Sequence, residues 1–187
     1  LLVWEGVTLA LCLLVVRAIL LSTGAPLDRR WWLPALGAPV VFVNLGHGQN
    51  GFLSAALIGA GLVALGRRPV AAGICFGLLA YKPQLALLIP FVLIATGKWR
   101  TLAAAAATVV LLAIAVTLIF GAGVWAAFQA STAMTRTELL ENGGPGWEKI
   151  QTVFAWVRLW GGPTPLAYGI QAAATLVMTV ALIWLWR

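Results

Sequence analysis

The sequence predicts an all-α, polytopic transmembrane helical bundle, and three observations lead to that fold class. Of the 187 residues, 62% are hydrophobic and 9% are charged, with a mean hydropathy of +0.99, whereas soluble domains are about half apolar and a quarter charged. The apolar residues form blocks at 1–21, 101–120 and 166–186 that are long enough for a helix to cross a bilayer. These blocks lack the alternating pattern of membrane β-strands.

The net charge of +7 and the pI near 10.5 would suggest a nucleic-acid partner for a soluble chain. Here the basic residues lie at the ends of apolar blocks, as the positive-inside rule describes. We therefore expect membrane lipid and no nucleic acid as a partner, with the basic groups in the cytoplasm. These groups are Arg29–Arg30, Arg67–Arg68, Lys98 with Arg100, and Arg187.

The organisation indicates one transmembrane domain over residues 1–187, with about seven membrane segments. The chain opens at Leu1 without an initiator methionine or a basic flank, so we expect it to be the C-terminal part of a longer chain. Residues 121–163 are too polar to span and predict an extracytoplasmic loop with two amphipathic, interfacial helices, at 124–140 and 150–160.

Two stretches, 31–66 and 69–97, each lie between basic groups and contain a polar break, at Gly46–Gly51 and at Lys82–Gln84. Glycines permit a tight reversal and a proline disfavours helix at the preceding residue, so each stretch predicts a helical hairpin. Helices over 31–45 and 69–81 would be about 22 and 20 Å long, short of the roughly 30 Å hydrocarbon core. Both breaks should therefore line a common polar cavity within the membrane. One long kinked helix over 69–97 is the competing interpretation.

The first break offers four hydrogen-bonding side chains within seven residues, Asn44, His47, Gln49 and Asn50. Their spacing by glycines allows close approach to a polyhydroxylated ligand, although a simple turn with a capping asparagine is the structural alternative. His47 is the only histidine and is suited to assist proton transfer near neutral pH.

The second break offers Tyr81, Lys82 and Gln84. A lysine at membrane depth is unfavourable unless it is paired, and such residues usually have a function. Lys82 is suited to bind a phosphate as a mobile point charge. The alternative is a lysine that extends to the interface.

Several other residues give weaker signals. Arg136 and Arg158, in the predicted outer helices, are candidates for phosphate binding or for interfacial anchoring. Glu5 lies near the outer end of the first span, where we expect its carboxylate to reach the lipid headgroups. The Gly73–Gly77 stretch predicts a close contact between helices.

Taken together, these motifs resemble glycosyltransferase family 87. The resemblance is clearest over 44–128 and rests on Gly48-Gln49-Asn50-Gly51, Arg67-Arg68-Pro69, Ala72-Gly73, Gly77-Leu78-Leu79, Tyr81-Lys82-Pro83-Gln84, Pro90, Phe120-Gly121 and Trp125. Members of this family are polyprenyl-phosphate-mannose-dependent α-mannosyltransferases with a GT-C fold.

The resemblance implies transfer of a hexose, mannose in this family, from a polyprenyl-phosphate donor to a glycan or glycolipid acceptor. The active face would be extracytoplasmic, in the plasma or inner membrane. The GT-C pattern places a catalytic aspartate in an early outer loop, but Asp28, the only aspartate, lies on the predicted cytoplasmic side. We therefore expect the general base upstream of Leu1. No cofactor is evident, and the sequence, which lacks a carboxylate cluster, leaves a divalent metal open.

Two other classes of function remain open from the residues alone. A transporter or lipid flippase also has broken helices that meet in mid-membrane. A structural subunit would require the two polar breaks to satisfy each other's hydrogen bonds.

Overall fold

A computed structural model describes residues 1–24 and 27–187, which are helices and connecting turns without a strand in those ranges. The chain divides into two compact units, residues 1–111 and 112–187.

The first unit contains seven helices and the start of an eighth among its described residues. These are α1 (Leu2–Ser22), α2 (Trp32–Gly37), α3 (Pro39–His47), α4 (Gly51–Ala64), α5 (Pro69–Leu78), α6 (Pro83–Ala86), α7 (Ile89–Ala95) and α8 (Trp99–Phe120), with a 3₁₀ turn at Leu79–Tyr81. The second unit contains the end of α8, then α9 (Gly123–Met134), a π-helical segment (Thr135–Glu141), a 3₁₀ turn (Trp147–Lys149), α10 (Val153–Leu159) and α11 (Thr164–Trp186).

Among the described residues, three helices, α1, α8 and α11, are long and apolar enough to cross a membrane. They match the three apolar blocks of the sequence, so this part of the prediction is confirmed. The shorter apolar helical stretches are Gly51–Ala64, Pro69–Tyr81 and Pro83–Ala95. The count of seven membrane segments stays a prediction.

The predicted continuous helix over 31–45 is wrong, because Pro39 interrupts it. Ala38 adopts extended backbone angles (φ −63°, ψ 130°) between α2 and α3. A proline disfavours helical geometry at the residue before it and is itself well placed as the first residue of a new helix.

The hairpin predicted over 69–97 is confirmed, and the single long helix is excluded. Leu93 of α7 packs in one buried cluster with Ala72, Phe76 and Leu79. A straight helix would separate residues 76 and 93 by about 25 Å, so the chain reverses between α5 and α7. The reversal includes Lys82, whose non-helical angles (φ −133°, ψ 74°) precede Pro83.

Glycines allow the helices of the first unit to approach closely. A Cβ atom at Gly73 would meet the α8 backbone at Thr101, and one at Gly77 would meet Thr108 and the carbonyl of Ala105. The predicted helix contact at Gly73–Gly77 is therefore confirmed, with α8 as its partner. The order of these contacts shows that α5 and α8 run in the same direction.

Contacts between helices also show that the helix ends with basic residues lie together in the first unit. The polar breaks lie at the opposite end of that unit. A groove is lined by residues near both basic groups, including Gly66, Pro69, Gly97 and Arg100. α4 is antiparallel to α5, because Gly61 lies against Phe76 while Ser54 contacts Tyr81.

In the second unit, α10 packs against α11. Phe154, Val157 and Ala167 form its buried cluster, and the Phe154 and Tyr168 rings lie 4.6 Å apart between centroids. The Gln171 side chain accepts a hydrogen bond of 3.0 Å from the Phe154 amide, which satisfies an amide of the first turn of α10.

The contact between α5 and α8 makes a testable prediction. Gly77→Leu should destabilise the protein by about 1–3 kcal/mol, because the side chain has no space against α8. Gly169→Leu, in a helix where a Cβ meets nothing within 4 Å, is the matched control. Thermal unfolding in detergent measures both variants, and equal melting temperatures would contradict the packing described.

Candidate functional site

The first polar break is organised by the side-chain amide of Asn44, which is 6% exposed. Its oxygen accepts a hydrogen bond of 2.9 Å from the Gly51 amide, and its nitrogen donates to the Gln49 carbonyl at 2.9 Å. The same nitrogen donates to Glu5 Oε2 at 3.2 Å. Asn44 thus ties α1, the end of α3 and the start of α4 together.

Two glycines make this local fold possible. Gly48 ends α3 in the left-handed conformation (φ 60°, ψ 37°), which glycine adopts without steric cost. At Gly51 a Cβ atom would clash with Asn44 Oδ1, so only glycine permits the side chain of Asn44 to reach the amide. The glycines predicted to allow close approach therefore serve the chain's own asparagine.

The two polar breaks meet through the hydroxyl of Tyr81. It lies 2.6 Å from Ser54 Oγ and 3.3 Å from the Asn50 carbonyl oxygen. Ser54, which is buried, places its Oγ 3.0 Å from that same carbonyl oxygen. Each hydroxyl has one hydrogen, so one of them donates to the carbonyl while the other donates to its partner hydroxyl. The structure therefore brings together Asn44, Asn50 and Tyr81 from the predicted site.

Lys82 directly follows Tyr81, and His47 lies three residues after Asn44 in α3. The Lys82 ammonium nitrogen is 6.0 Å from the centroid of the Tyr81 ring, and its side chain is half-buried. The exposed His47 uses Nδ1 to donate to the Val43 carbonyl at 2.9 Å, because a carbonyl only accepts. Nε2 of the neutral ring is then a hydrogen-bond acceptor. Gln49 and Gln84 are exposed, and their roles stay predictions.

Glu5 is the residue that sequence reasoning misplaced. Instead of reaching lipid headgroups, it is 3% exposed and bonded to Asn44. Its other oxygen, Oε1, is buried without a hydrogen-bond partner among residues 1–24 and 27–187. The available signal was a carboxylate inside an apolar block, since ionisable groups in membrane helices are usually functional.

A second polar cluster lies in the second unit, around Glu141. Arg136 Nε donates to Glu141 Oε1 at 2.8 Å and to the Tyr168 hydroxyl at 3.1 Å. The Tyr168 hydroxyl donates to the same carboxylate oxygen at 2.7 Å. The hydrogen bond from Tyr168, which has the larger effect, and the hydrogen bond from Arg136 both lower the pKa of Glu141. The hydrogen bond to Glu141 in turn raises the pKa of Arg136. The Arg136 side chain remains 66% exposed.

Arg158, the other predicted outer cation, is engaged within its own unit. Its guanidinium donates to the carbonyls of Gly162, at 2.9 Å, and of Glu141, at 3.3 Å. It also lies 4.5 Å from the centroid of a Trp147 ring. These contacts hold the segment between the π-helical turn and α11, and a role in phosphate binding stays a prediction.

The described residues include no group of three or more His, Cys, Asp or Glu side chains placed to hold a metal ion. The polar atoms at the first site are amides, hydroxyls, a carboxylate and a lysine. Such groups are suited to hydroxyl and phosphate recognition.

Three apolar helices of membrane-spanning length among the described residues define a membrane protein, and its first unit carries a polar junction. The chain matches glycosyltransferase family 87 over residues 1–187 and belongs to that family. It is therefore a membrane glycosyltransferase. No curated protein and no solved structure shows significant similarity to the chain.

The cluster around Glu141 predicts a pH dependence. The pKa of Glu141 is lowered by folding, so its contribution to stability is present above the ordinary glutamate value of about 4.3 and is lost as the pH falls through the folded pKa. Glu141→Gln should therefore lose less stability than the parent when the pH is lowered through that range. Melting temperatures as a function of pH measure this, with Glu138→Gln, an exposed carboxylate of the same segment, as control. Parallel curves for the parent and Glu141→Gln would contradict the coupling.

Proposed function

We propose that the chain transfers a hexose, mannose as in the α-mannosyltransferases that it resembles, from a polyprenyl-phosphate donor to a glycan or glycolipid acceptor. The observation that carries this proposal is the junction of the two polar breaks through Tyr81, Ser54 and Asn50. This junction supports a single polar site, at the end of the first unit that is opposite to its basic residues. By the positive-inside rule that end is extracytoplasmic.

The chemistry of this end suits a lipid-linked sugar. The donor's polyprenyl chain is as apolar as the helices around the site, whereas its phosphate and sugar need polar partners. We assign sugar and phosphate recognition to the side-chain amides of Gln49, Asn50 and Gln84. The chain's own groups occupy the amide of Asn44, which we assign to holding Gln49 and Asn50 in place. The hydroxyl of Tyr81 borders the same region.

Lys82 is assigned to the donor phosphate. In the reaction, the bond between the anomeric carbon and the phosphate oxygen breaks while the acceptor oxygen bonds to that carbon. Negative charge collects on the departing phosphate, and a fixed cation stabilises it. The acceptor hydroxyl gives its proton to a general base. The neutral His47 Nε2 is suited to assist that transfer.

Arg136 is the alternative cation. Its Nε is occupied by Glu141 and Tyr168, and no hydrogen bond of the described residues uses its two terminal nitrogens. It borders an open groove of about 610 Å³ together with Phe128, Gln129 and Thr132. Arg158 is the weaker alternative, because carbonyl groups of its own unit already accept hydrogen bonds from its guanidinium.

We further propose a GT-C fold in which the shorter helices are re-entrant segments. We place the protein in the plasma or inner membrane.

The test is lipid-donor-dependent transfer by the open reading frame that encodes these residues, expressed in membranes. Lys82→Met should lower turnover by roughly 10²–10³-fold, which is typical for loss of one preorganised charge-stabilising group. Lys82→Arg should restore part of the rate. Lys98→Met, which removes an exposed lysine at the basic end, should leave turnover unchanged.

Three outcomes would contradict the proposal. Normal turnover by Lys82→Met at limiting and saturating donor would remove Lys82 from the mechanism. Donor movement across the membrane without transfer would favour the flippase or transporter interpretation. Equal losses in Lys82→Met and Lys98→Met would indicate a general effect of charge.

A further inference from the structure

Glu5 is a buried carboxyl group that the proposed reaction does not yet use. It lies in the apolar helix α1 and is 3% exposed. Oε2 accepts from Asn44, and Oε1 is buried without a partner among the described residues. An unpartnered polar atom in an apolar interior is unfavourable. Because Glu5 keeps such an unpartnered oxygen at the polar end of the first unit, we expect its carboxyl group to have a role.

The hydrogen bonds of Asn44 show what that role is. The Gly51 amide can only donate, so the oxygen of the Asn44 side chain must face it. The nitrogen then faces Gln49 and Glu5, and its two hydrogens go to the Gln49 carbonyl and to Glu5 Oε2. Glu5 is therefore the group from outside the break that accepts the second hydrogen of this amide and joins it to α1.

We infer that Glu5 is a positioning residue for the proposed transfer reaction, acting through Asn44. It holds the backbone of residues 48–51 in the conformation that presents the side chains of Gln49 and Asn50. Oε2 accepts from Asn44 whether Glu5 is ionised or carries a proton on Oε1, so the role needs an acceptor and not a charge. The inference rests on the proposed function only for its effect on catalysis.

Variants of Glu5 can distinguish a positioning role, which needs a hydrogen-bond acceptor, from a role in proton transfer, which needs an exchangeable proton. Glu5→Gln keeps an acceptor oxygen for Asn44 and cannot exchange a proton, whereas Glu5→Met keeps the length and loses the acceptor. A matched control is Thr8→Val, one helical turn further along α1. Thr8 is equally buried, and its hydroxyl bonds to the carbonyls of Trp4 and Glu5 and not to Asn44.

The first measurement is amide hydrogen exchange of the segment 46–53, which requires no donor. Glu5→Met should exchange roughly tenfold faster there than the parent, because the amide that protects Gly51 is no longer fixed. Glu5→Gln and Thr8→Val should match the parent. If Glu5→Met does not fold, Glu5→Asp, whose shorter side chain does not reach Asn44, should give the same result.

The second measurement is the steady-state kinetics of transfer. Glu5→Met should lower kcat/KM by up to about 10²-fold, as small misplacement of binding groups does, and Glu5→Gln should restore most of it. Two results would overturn the inference: unchanged exchange and kinetics in Glu5→Met, or a loss in Glu5→Gln as large as in Glu5→Met. Absence of transfer by the parent would contradict the proposed function, and the exchange experiment would still decide whether Glu5 positions the segment.

Discussion

The polar end of the first unit depends on the amide of Asn44. A chain that interrupts its helices among apolar surroundings must satisfy the exposed backbone groups internally, because lipid offers them no hydrogen bonds. Asn44 does this for the break between α3 and α4 by bonding to Gln49 and Gly51, and its remaining hydrogen is donated to Glu5. The Asn50 carbonyl accepts from the Ser54 amide of α4 and from one of the two hydroxyls of Ser54 and Tyr81. Asn44 and Tyr81, two of the residues that the sequence offers as ligand-binding groups, therefore maintain the break. The side chains that stay available to a ligand are those of His47, Gln49, Asn50, Lys82 and Gln84.

Sequence patterns predicted the features that depend on local chemistry. The three long apolar helices, the reversal near Lys82-Pro83 and the glycine contact of α5 all follow from hydropathy, proline geometry and residue size, and the structure confirms them. The error over 31–45 is also local, because Pro39 was present in the sequence and its effect was underestimated. By contrast, the pairing of Glu5 with Asn44 joins residues 39 positions apart. No periodicity carries that information, so the carboxylate was expected at the headgroups although it is buried.

The second unit illustrates how charge alone is a poor guide to binding. Arg136 and Arg158 gave the same signal in the sequence, as isolated cations in amphipathic helices. In the structure Arg158 bonds to two carbonyls and stacks on Trp147, whereas Arg136 pairs with Glu141 and Tyr168 and remains largely exposed. Their surroundings therefore separate a cation that holds the chain together from one that a phosphate can still approach. The proposed lipid-phosphate donor gives this difference a chemical meaning, because a phosphate is bound by charge-assisted hydrogen bonds from a cation.

The central claim is that the polar end of the first unit binds the sugar phosphate of a lipid-linked donor. Photocrosslinking with a polyprenyl-phosphate hexose analogue, reactive at the sugar, tests this claim most directly, with peptide mapping of the labelled protein. The account predicts label within residues 44–53 and 79–86, which unlabelled donor suppresses. Label confined to residues 123–141, or label at the first unit that unlabelled donor does not displace, would contradict it.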